Sequence, residues 1–375
     1  MSAPTPRIAV IGARPGGLTC ARGLQRHGIP VTVHDLDASP AARDQGGTLD
    51  MHPATGQHAL REAGLWDAFS ALSRPEGERM RLVGRDGRIV FDAAPAEGGQ
   101  GNPEIDRGQL RGLLLDSLAP GTVRWGHKLT DAEPLGAGGH RLCFADGCTA
   151  DVDLVVGADG AWSRTRRLLS DATPVYTGVT FVETGFDDAD HRHPGLAALT
   201  GDGTMMALDD SRGFVAQRNS GGHIRTYIGM RTGEDWHRGD DGPALREALL
   251  KAFTGWSDDL LRFITDTDTG YVNRPLYALP VPHTWPHTPG VTLLGDAAHL
   301  MSPFSGMGAN LAMRDGADLA AALLAHPTVD EAITAYEDIL LPRSAEAAEG
   351  AAEGIAGAFA PDSARQTLAH LTRTA

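Results

Sequence analysis

One stretch constrains the fold of this chain more than any other: Gly295-Asp296-Ala297-Ala298-His299-Leu300-Met301-Ser302-Pro303-Phe304-Ser305-Gly306-Met307-Gly308-Ala309-Asn310. The apolar segment Val291 to Leu294 reads as a strand that delivers a Gly-Asp pair at its end. A loop with a proline and two glycines follows, and Ala309 to Leu324 has helical spacing. Such a corner leaves backbone N–H groups free at the positive end of a helix dipole, which suits an anionic or electron-rich ligand.

A second loop of this kind stands near the N-terminus. Arg7 to Ile11 is a short apolar strand, Gly12-Ala13-Arg14-Pro15-Gly16-Gly17 follows, Leu18 to His27 is helical in period, and Val31 to Val33 is the next strand, ending in His34-Asp35. This is a Rossmann βαβ pattern. Gly12 makes the tight turn, Gly17 lets helix and strand pack closely, and Asp35 lies about 20 residues on, suited to a ribose hydroxyl. The departure is Arg14, at the position where glycine lets backbone approach a pyrophosphate. Its guanidinium either folds over the phosphates and binds them or crowds them; the sequence favours crowding, because that position faces the phosphates at close range.

A third element sits mid-chain. The buried-strand pattern Leu154-Val155-Val156-Gly157 runs into Ala158-Asp159-Gly160-Ala161-Trp162-Ser163-Arg164-Thr165-Arg166, a turn leading to a helix capped near Ser163. Between these markers the chain predicts a helix over His58 to Leu72, a hairpin about Arg85-Asp86-Gly87, a helix over Asp106 to Leu118, and strands at 122–125, 141–144 and 151–156. From about Gly178 to Leu279 alternating stretches predict a β-rich layer interrupted by one helix, Gly242 to Phe253, and an Ala-rich helical stretch runs from about Val329 to Thr374. The expected organisation is α/β: a discontinuous nucleotide domain (1–72, 101–177 and 280–325), a β-rich substrate domain (73–100 and 178–279) and a C-terminal helical segment (326–375).

A formal charge of −15 argues against nucleic acid or an anionic membrane surface as partner. No apolar run approaches a membrane span, and Met1 to Pro6 lacks the basic and apolar regions of a leader. A cytoplasmic monomer with free Cys20, Cys143 and Cys148 is expected. No metal cluster is found: His191 and His193 precede Pro194 without further ligands and read as surface loop residues. Ser163 and Ser302 lack a nucleophile elbow, so no catalytic residue is assigned.

The three loops in this order resemble the single-component, FAD-dependent aromatic monooxygenases with the glutathione-reductase-type FAD fold. Within that group, Ala42-Arg43, Gly46-Gly47-Thr48-Leu49-Asp50, Thr55-Gly56-Gln57, Asn102-Pro103-Glu104-Ile105-Asp106-Arg107, Glu234-Asp235-Trp236, His299-Leu300-Met301 and Pro361-Asp362 resemble the tetracycline destructases. The resemblance implies an NAD(P)H-dependent FAD monooxygenase, NADPH being taken as the reductant, that uses O2 to hydroxylate an aromatic or polyketide-like molecule, with a tetracycline-type antibiotic as one candidate. Reduced flavin would activate oxygen, with the protein supplying position, dryness and electrostatics.

The same resemblance implies the site. Asp35 would bind the adenosine ribose, and Gly12, Arg14, Pro15 and Gly17 would line the pyrophosphate. Arg43 and Arg107 would contact flavin or phosphates, with Asp50 and Asp159 in the cofactor set. Asp296 would hold the ribityl or pyrophosphate portion, and Pro303, Gly306 and Gly308 to Asn310 would set backbone beside the isoalloxazine. His299 reads as a structural hydrogen-bonder. The substrate wall would come from Glu183, Met206, Val215, Gln217, Thr226, Pro303 and Phe304, with Phe181, Met205 and Tyr227 on the same strands. The polar places Glu183, Thr204 and Thr226 show no cationic partner, which counts against tetracycline itself. Two alternatives stand beside this reading. One is a halogenase or oxidase on the same scaffold, although no Trp-x-Trp-x-Ile-Pro segment is present. The other is a flavin-fold protein that only binds its small molecule, which Arg14 alone favours.

Overall fold

The computed structural model describes residues 5–95, 101–136, 138–239 and 242–374. Residues 1–4, on which the leader-free reading partly rests, lie outside these. A five-stranded parallel sheet has the order Val291–Leu293, Leu154–Gly157, Ile8–Ile11, Val31–His34, Val123–Arg124. Ile8–Ile11, Leu154–Gly157 and the edge strand Val291–Leu293 are mostly apolar runs buried along their whole length, as strands covered on both faces require. The first helix, Pro15–Arg26, begins with proline at the position that lacks a hydrogen-bonding role and buries Leu18, Cys20, Ala21 and Leu24.

That helix crosses the glycine-loop helix, Met307–Ala325, at backbone contact. A Cβ on Gly16 would lie 2.6 Å from the Ala312 carbonyl oxygen, and one on Gly316 would overlap the carbonyl oxygen of Gly16. Only glycine permits this approach, and it sets the N-terminal and C-terminal loops side by side.

The second layer is a seven-stranded sheet in the order Val272–Ala278, Val175–Phe186, Ile224–Arg231, Arg212–Arg218, Thr204–Asp209, Met80–Val83, Ile89–Ala93. Val182, Phe186, Met205, Phe214, Ala216 and Ile228 pack in a core with Leu245, Leu249, Phe253, Leu260 and Phe263 from helices. Four helices lie in this region, not the single one expected: Ala189–Arg192, Pro194–Thr200, Pro243–Ala252 and Asp258–Thr265. The first two are too short to show a helical period. The last carries a local start signal, an N-cap Ser257 that accepts the Leu260 N–H, followed by Asp258 and Asp259.

Other boundaries also move. The segment 151–156 divides at Asp153, because Thr149–Val152 joins a three-stranded antiparallel sheet while Leu154–Gly157 enters the parallel one. The helix expected over 58–72 breaks at Gly64, whose φ of +67° ends His58–Glu62 before Trp66–Leu72 begins. The helix expected after Asp159 is only a 3₁₀ turn, Thr165–Leu168. The C-terminal stretch is two helices, Val329–Ala358 and Ser363–Thr374, parted at Pro361. Cys20, Cys143 and Cys148 are free, and burial pushes the Cys20 thiol up to about 12. Among the described residues no helix is long and apolar enough to cross a membrane.

Candidate cofactor and substrate site

The three loops meet at the carboxyl ends of the parallel strands, where an open α/β sheet takes its ligand. Gly12, with φ +118°, lies so close to the Asp-Gly loop that a Cβ would overlap the Ala158 carbonyl oxygen. Arg166, buried, ties that loop to the Gly-Asp loop: its Nε donates to Ala297 O at 2.8 Å, and its Nη2 donates to Ala161 O at 2.9 Å and Asp296 O at 3.0 Å. Asp159 is absorbed by its own turn. It accepts from Ser163 Oγ at 2.5 Å and the Arg164 N–H at 2.7 Å, so its side chain shapes the loop instead of reaching outward.

The Gly-Asp loop is held from behind by Asp315. Its Oδ2 accepts the Gly295 N–H at 3.0 Å and stands 2.6 Å from His299 Nε2, while Oδ1 accepts from Arg343 Nη2 at 2.9 Å. Burial by itself would lower the His299 pKa, but the Asp315 carboxylate reverses this and holds it above its ordinary value. His299 is thus the structural hydrogen-bonder expected. By contrast, His193 is not a surface loop residue; it is buried, with Nε2 2.9 Å from Asp268 Oδ2.

Around the first glycine loop the groups suit a dinucleotide. Asp35, buried, accepts the Ala13 N–H at 2.6 Å and the Asp37 N–H at 2.8 Å, which sets its carboxylate against the loop. Arg111 donates from Nε to Ala13 O at 3.0 Å and from Nη1 to Pro40 O at 2.7 Å, pinning the loop to the following segment. Arg43 Nε donates to Asp37 at 2.9 Å. The Arg14 guanidinium lies over Gly160, with Nε 3.4 Å from where a Cβ would stand. Burial and the neighbouring Arg43 lower its pKa, opposed by Asp296 and Asp35. Neither Arg14 nor Arg107 has a side-chain hydrogen bond or ion pair among the described residues. The first turn of the helix that begins at Pro15 has no side-chain cap. Uncompensated guanidinium groups beside an uncapped helix N-terminus fit a diphosphate in charge and in donor geometry.

On the other flank, Asp50 Oδ2 lies 2.7 Å from His52 Nε2, and a Cβ on Gly306 would stand 3.3 Å from that oxygen. The Asn310 side chain is fully buried. Its Oδ1 accepts the His52 N–H at 2.9 Å and the Gly56 N–H at 3.1 Å, and its Nδ2 donates to Asp50 O at 2.7 Å. Its side chain is therefore a staple beneath the loop, leaving only backbone to face a cofactor. At Gly308 a Cβ would meet nothing within 4 Å, so that backbone faces open space. In the Pro303–Ser305 turn, Phe304 sets its ring edge-on to Phe359 and to Phe181 of the seven-stranded sheet.

Strand parity sorts the expected substrate wall. Glu183 pairs with Tyr227, Tyr227 with Val215, and Val215 with Met206, which puts all four on one sheet face; Phe181, Gln217 and Arg225 share it. This face looks towards the loops, since a Cβ on Gly47 would lie 2.8 Å from the Tyr227 hydroxyl and 3.0 Å from Gln217 Oε1. Thr226 does not belong there. It pairs with Thr184 and Ala216, is fully buried and sits on the helix-covered face, a displacement of one residue that inverts side-chain direction; Met205 moves with it. The expectation of no cation is also corrected. Arg225 and Arg274 both donate to the Glu183 carboxylate, and a second nitrogen of Arg225 donates to Asp44. Neither arginine neighbours Glu183 in sequence, so only strand pairing brings them together. Arg111 and Arg166 were missed for a related reason: each acts on carbonyls remote in the chain, and no spacing rule reports that. An open groove of about 430 Å³ between the 40–45 segment and the helix Arg107–Asp116 includes Arg43 and Asp44 but no residue of the sheet.

The model of the FAD binding domain family matches residues 5–351. Monooxygenase penA of Penicillium thymicola is 31% identical, over 91% of this chain and 92% of its own length. The 3-amino-4-hydroxybenzoate 2-monooxygenase PtnB3 of Streptomyces platensis is also 31% identical, over 98% and 92%. Among solved structures, Klebsiella pneumoniae HpxO complexed with FAD and uric acid is similar with a TM-score of 0.83 at 22% identity, covering 98% of this chain and 92% of that one. The tetracycline destructase Tet(55) is similar with a TM-score of 0.78 at 22% identity, covering 100% and 96%.

Proposed function

This chain belongs to the FAD binding domain family and is an FAD-dependent monooxygenase, and on that premise we propose that it hydroxylates a small aromatic or polyketide-like molecule lodged between the seven-stranded sheet and the glycine loops. The observation that carries the reading is the setting of the Arg14 guanidinium, which shares its electrostatic neighbourhood with Asp296, Asp35, Arg43 and Arg107, while Arg107 also acts on Tyr227 of the seven-stranded sheet.

Bound FAD, reduced by NADPH, supplies the oxygen-activating chemistry, and one atom of O2 enters the product while the other leaves as water. The residues of this chain bind, orient and exclude water. Arg14, Arg43, Arg107 and the N–H groups of the first helix would hold the diphosphate, and Asp35 the ribose. Asp296 would hold the ribityl portion at the strand end kept in place by Arg166 and Asp315. Phe181, Phe304 and Phe359 pack into one apolar cluster that begins at the Pro303–Ser305 turn before Gly306, and apolar surroundings there would strengthen polar contacts to a ligand. Burial, with Glu183 nearby, holds the Tyr227 phenol above its ordinary pKa, so it stands as a neutral hydroxyl facing the ligand.

The test is the spectrum of the purified protein, followed by NADPH consumption with and without a panel of phenolic and tetracyclic compounds. Bound flavin together with consumption stimulated by at least one compound, and product gaining one oxygen by mass, is expected. A protein that neither holds nor takes up FAD would end this reading.

A further inference from the structure

An ion pair bolts the cofactor loops to the seven-stranded sheet. The Arg74 guanidinium donates from Nη1 to Arg218 O at 2.9 Å, and from Nη2 to Thr48 Oγ1 and Asp106 Oδ1, both at 3.0 Å. The Asp106 carboxylate also accepts from Asn219 Nδ2 at 3.2 Å and from the Ser220 N–H at 3.1 Å. Thr48 and Asp106 are opposed residues of a two-stranded sheet, Thr48–Asp50 and Glu104–Asp106. Arg218, Asn219 and Ser220 lead into the turn between the strands Arg212–Arg218 and Ile224–Arg231, which carry Val215, Gln217 and Tyr227 of the expected substrate wall. The side chains of Arg74 and Asp106 are only 13% and 19% exposed. Arg74 Nε and Asn219 Oδ1 are buried with no hydrogen-bond partner among the described residues, so this cluster is a costly way to fill an interface. A planar guanidinium shared among three acceptors supplies what an apolar contact does not, a fixed angle between the segments it joins.

The residue after Asp106 is Arg107. Its N–H donates to Gly47 O at 3.0 Å, and its charge acts on both Arg14 and Tyr227, so it stands between the cofactor loops and the sheet. We propose that Arg74 and Asp106 are positioning residues that set the direction of Arg107 and, through residues 218–220, hold the substrate wall in register with the bound flavin. This rests on the monooxygenase reading, in which Arg107 contacts the flavin or its phosphates. Neither Arg74 nor Asp106 needs to touch cofactor or substrate. A shift of the 218–220 turn carries Asp106 with it, and so the backbone from which Arg107 extends. A displacement of the wall is therefore felt as FAD affinity, and by linkage FAD acts back on the wall.

The experiment is a double-mutant cycle read as FAD affinity, by titrating the apo-protein and following flavin fluorescence. Arg107→Met is expected to weaken FAD by about tenfold or more, the loss of a charge-assisted contact. Arg74→Met weakens it by about three- to tenfold. Arg74→Lys weakens it less, since an ammonium keeps the charge but not the planar fork. Asn219→Ala, a milder change on the turn, weakens it by about two- to fivefold. In the Arg107→Met background each of these effects disappears, because no guanidinium is left to position. General loosening of the fold would instead add its loss in either background. Arg79→Met, which removes a surface pair with Asp92, leaves the affinity unchanged. Urea midpoints show which variants are folded, and Asn219→Ala carries the cycle if Arg74→Met is not. Unchanged affinity in the folded variants, losses that add to that of Arg107→Met, or wild-type affinity in Arg107→Met each overturns the proposal. Failure of the monooxygenase reading shows separately, as wild-type protein that cannot be loaded with FAD.

Discussion

Gly316 rests its backbone on that of Gly16, so closely that a Cβ on Gly316 would overlap the Gly16 carbonyl oxygen and stand 2.8 Å from the Cys20 nitrogen. These residues lie far apart in the chain, and their contact is what lays the C-terminal glycine loop against the N-terminal one. Because the obstacle is backbone, nothing can swing aside. Gly316→Ala is expected to cost about 1–3 kcal/mol in urea unfolding and to lower flavin retention. Gly350→Ala, in an open helical position with nothing within 4 Å, is expected to stabilise by about 0.5–1 kcal/mol. Equal effects from the two would remove the helix crossing as the cause.

Arg14→Gly would restore the usual fingerprint, yet it should weaken FAD binding. The guanidinium lies over Gly160 within reach of Asp296, with Arg43 and Arg107 nearby and no carboxylate paired to it. Loss of one charge-assisted contact is worth about 1.5–3 kcal/mol, or about tenfold or more in affinity. Titration of apo-protein with FAD by fluorescence quenching reads it directly, and tighter binding would return Arg14 to the crowding role.

Asp296→Ala should lose much more flavin than Asp86→Ala. Asp296 begins the short helix after the parallel-strand end, whereas Asp86 lies in the exposed turn between the strands Met80–Val83 and Ile89–Ala93. Flavin-to-protein absorbance ratios of the purified variants check this, and equal ratios would mean the site lies elsewhere.

Glu104 gives a pH dependence. Burial, aided by nearby Asp50 and Asp106 and opposed by Thr48 and Arg74, raises its pKa from 4.5 to about 7. The folded state therefore keeps a proton that the unfolded chain releases between those values, so this carboxyl favours folding at low pH and the benefit is lost as pH rises to about 7. Glu104→Gln should leave stability unchanged near pH 4 and add up to about 3 kcal/mol at pH 8, each pKa unit being worth about 1.4 kcal/mol. Denaturant midpoints across that range measure it, and a constant offset between the two proteins would exclude the titration.

The three cofactor loops, the βαβ unit and the hairpin at Asp86 were legible in the sequence because each is a local device. A turn needs glycine where φ is positive, a buried strand needs an unbroken apolar run, and a helix start needs a proline or a free turn of N–H groups, so composition and spacing report them. Glu183, Met206, Val215 and Gln217, expected from the resemblance, share one face of the sheet through strand pairing. Thr226 was misread because adjacent residues on a strand differ only in direction, and pairing with Thr184 and Ala216 decides which face is which. The Glu183–Arg225–Arg274 cluster, the Arg166 staple and the Asp315–Gly295 contact belonged to tertiary structure alone. Each joins groups that only strand order or helix crossing brings within hydrogen-bond distance, and a charge's partner, unlike its presence, is a property of the folded chain.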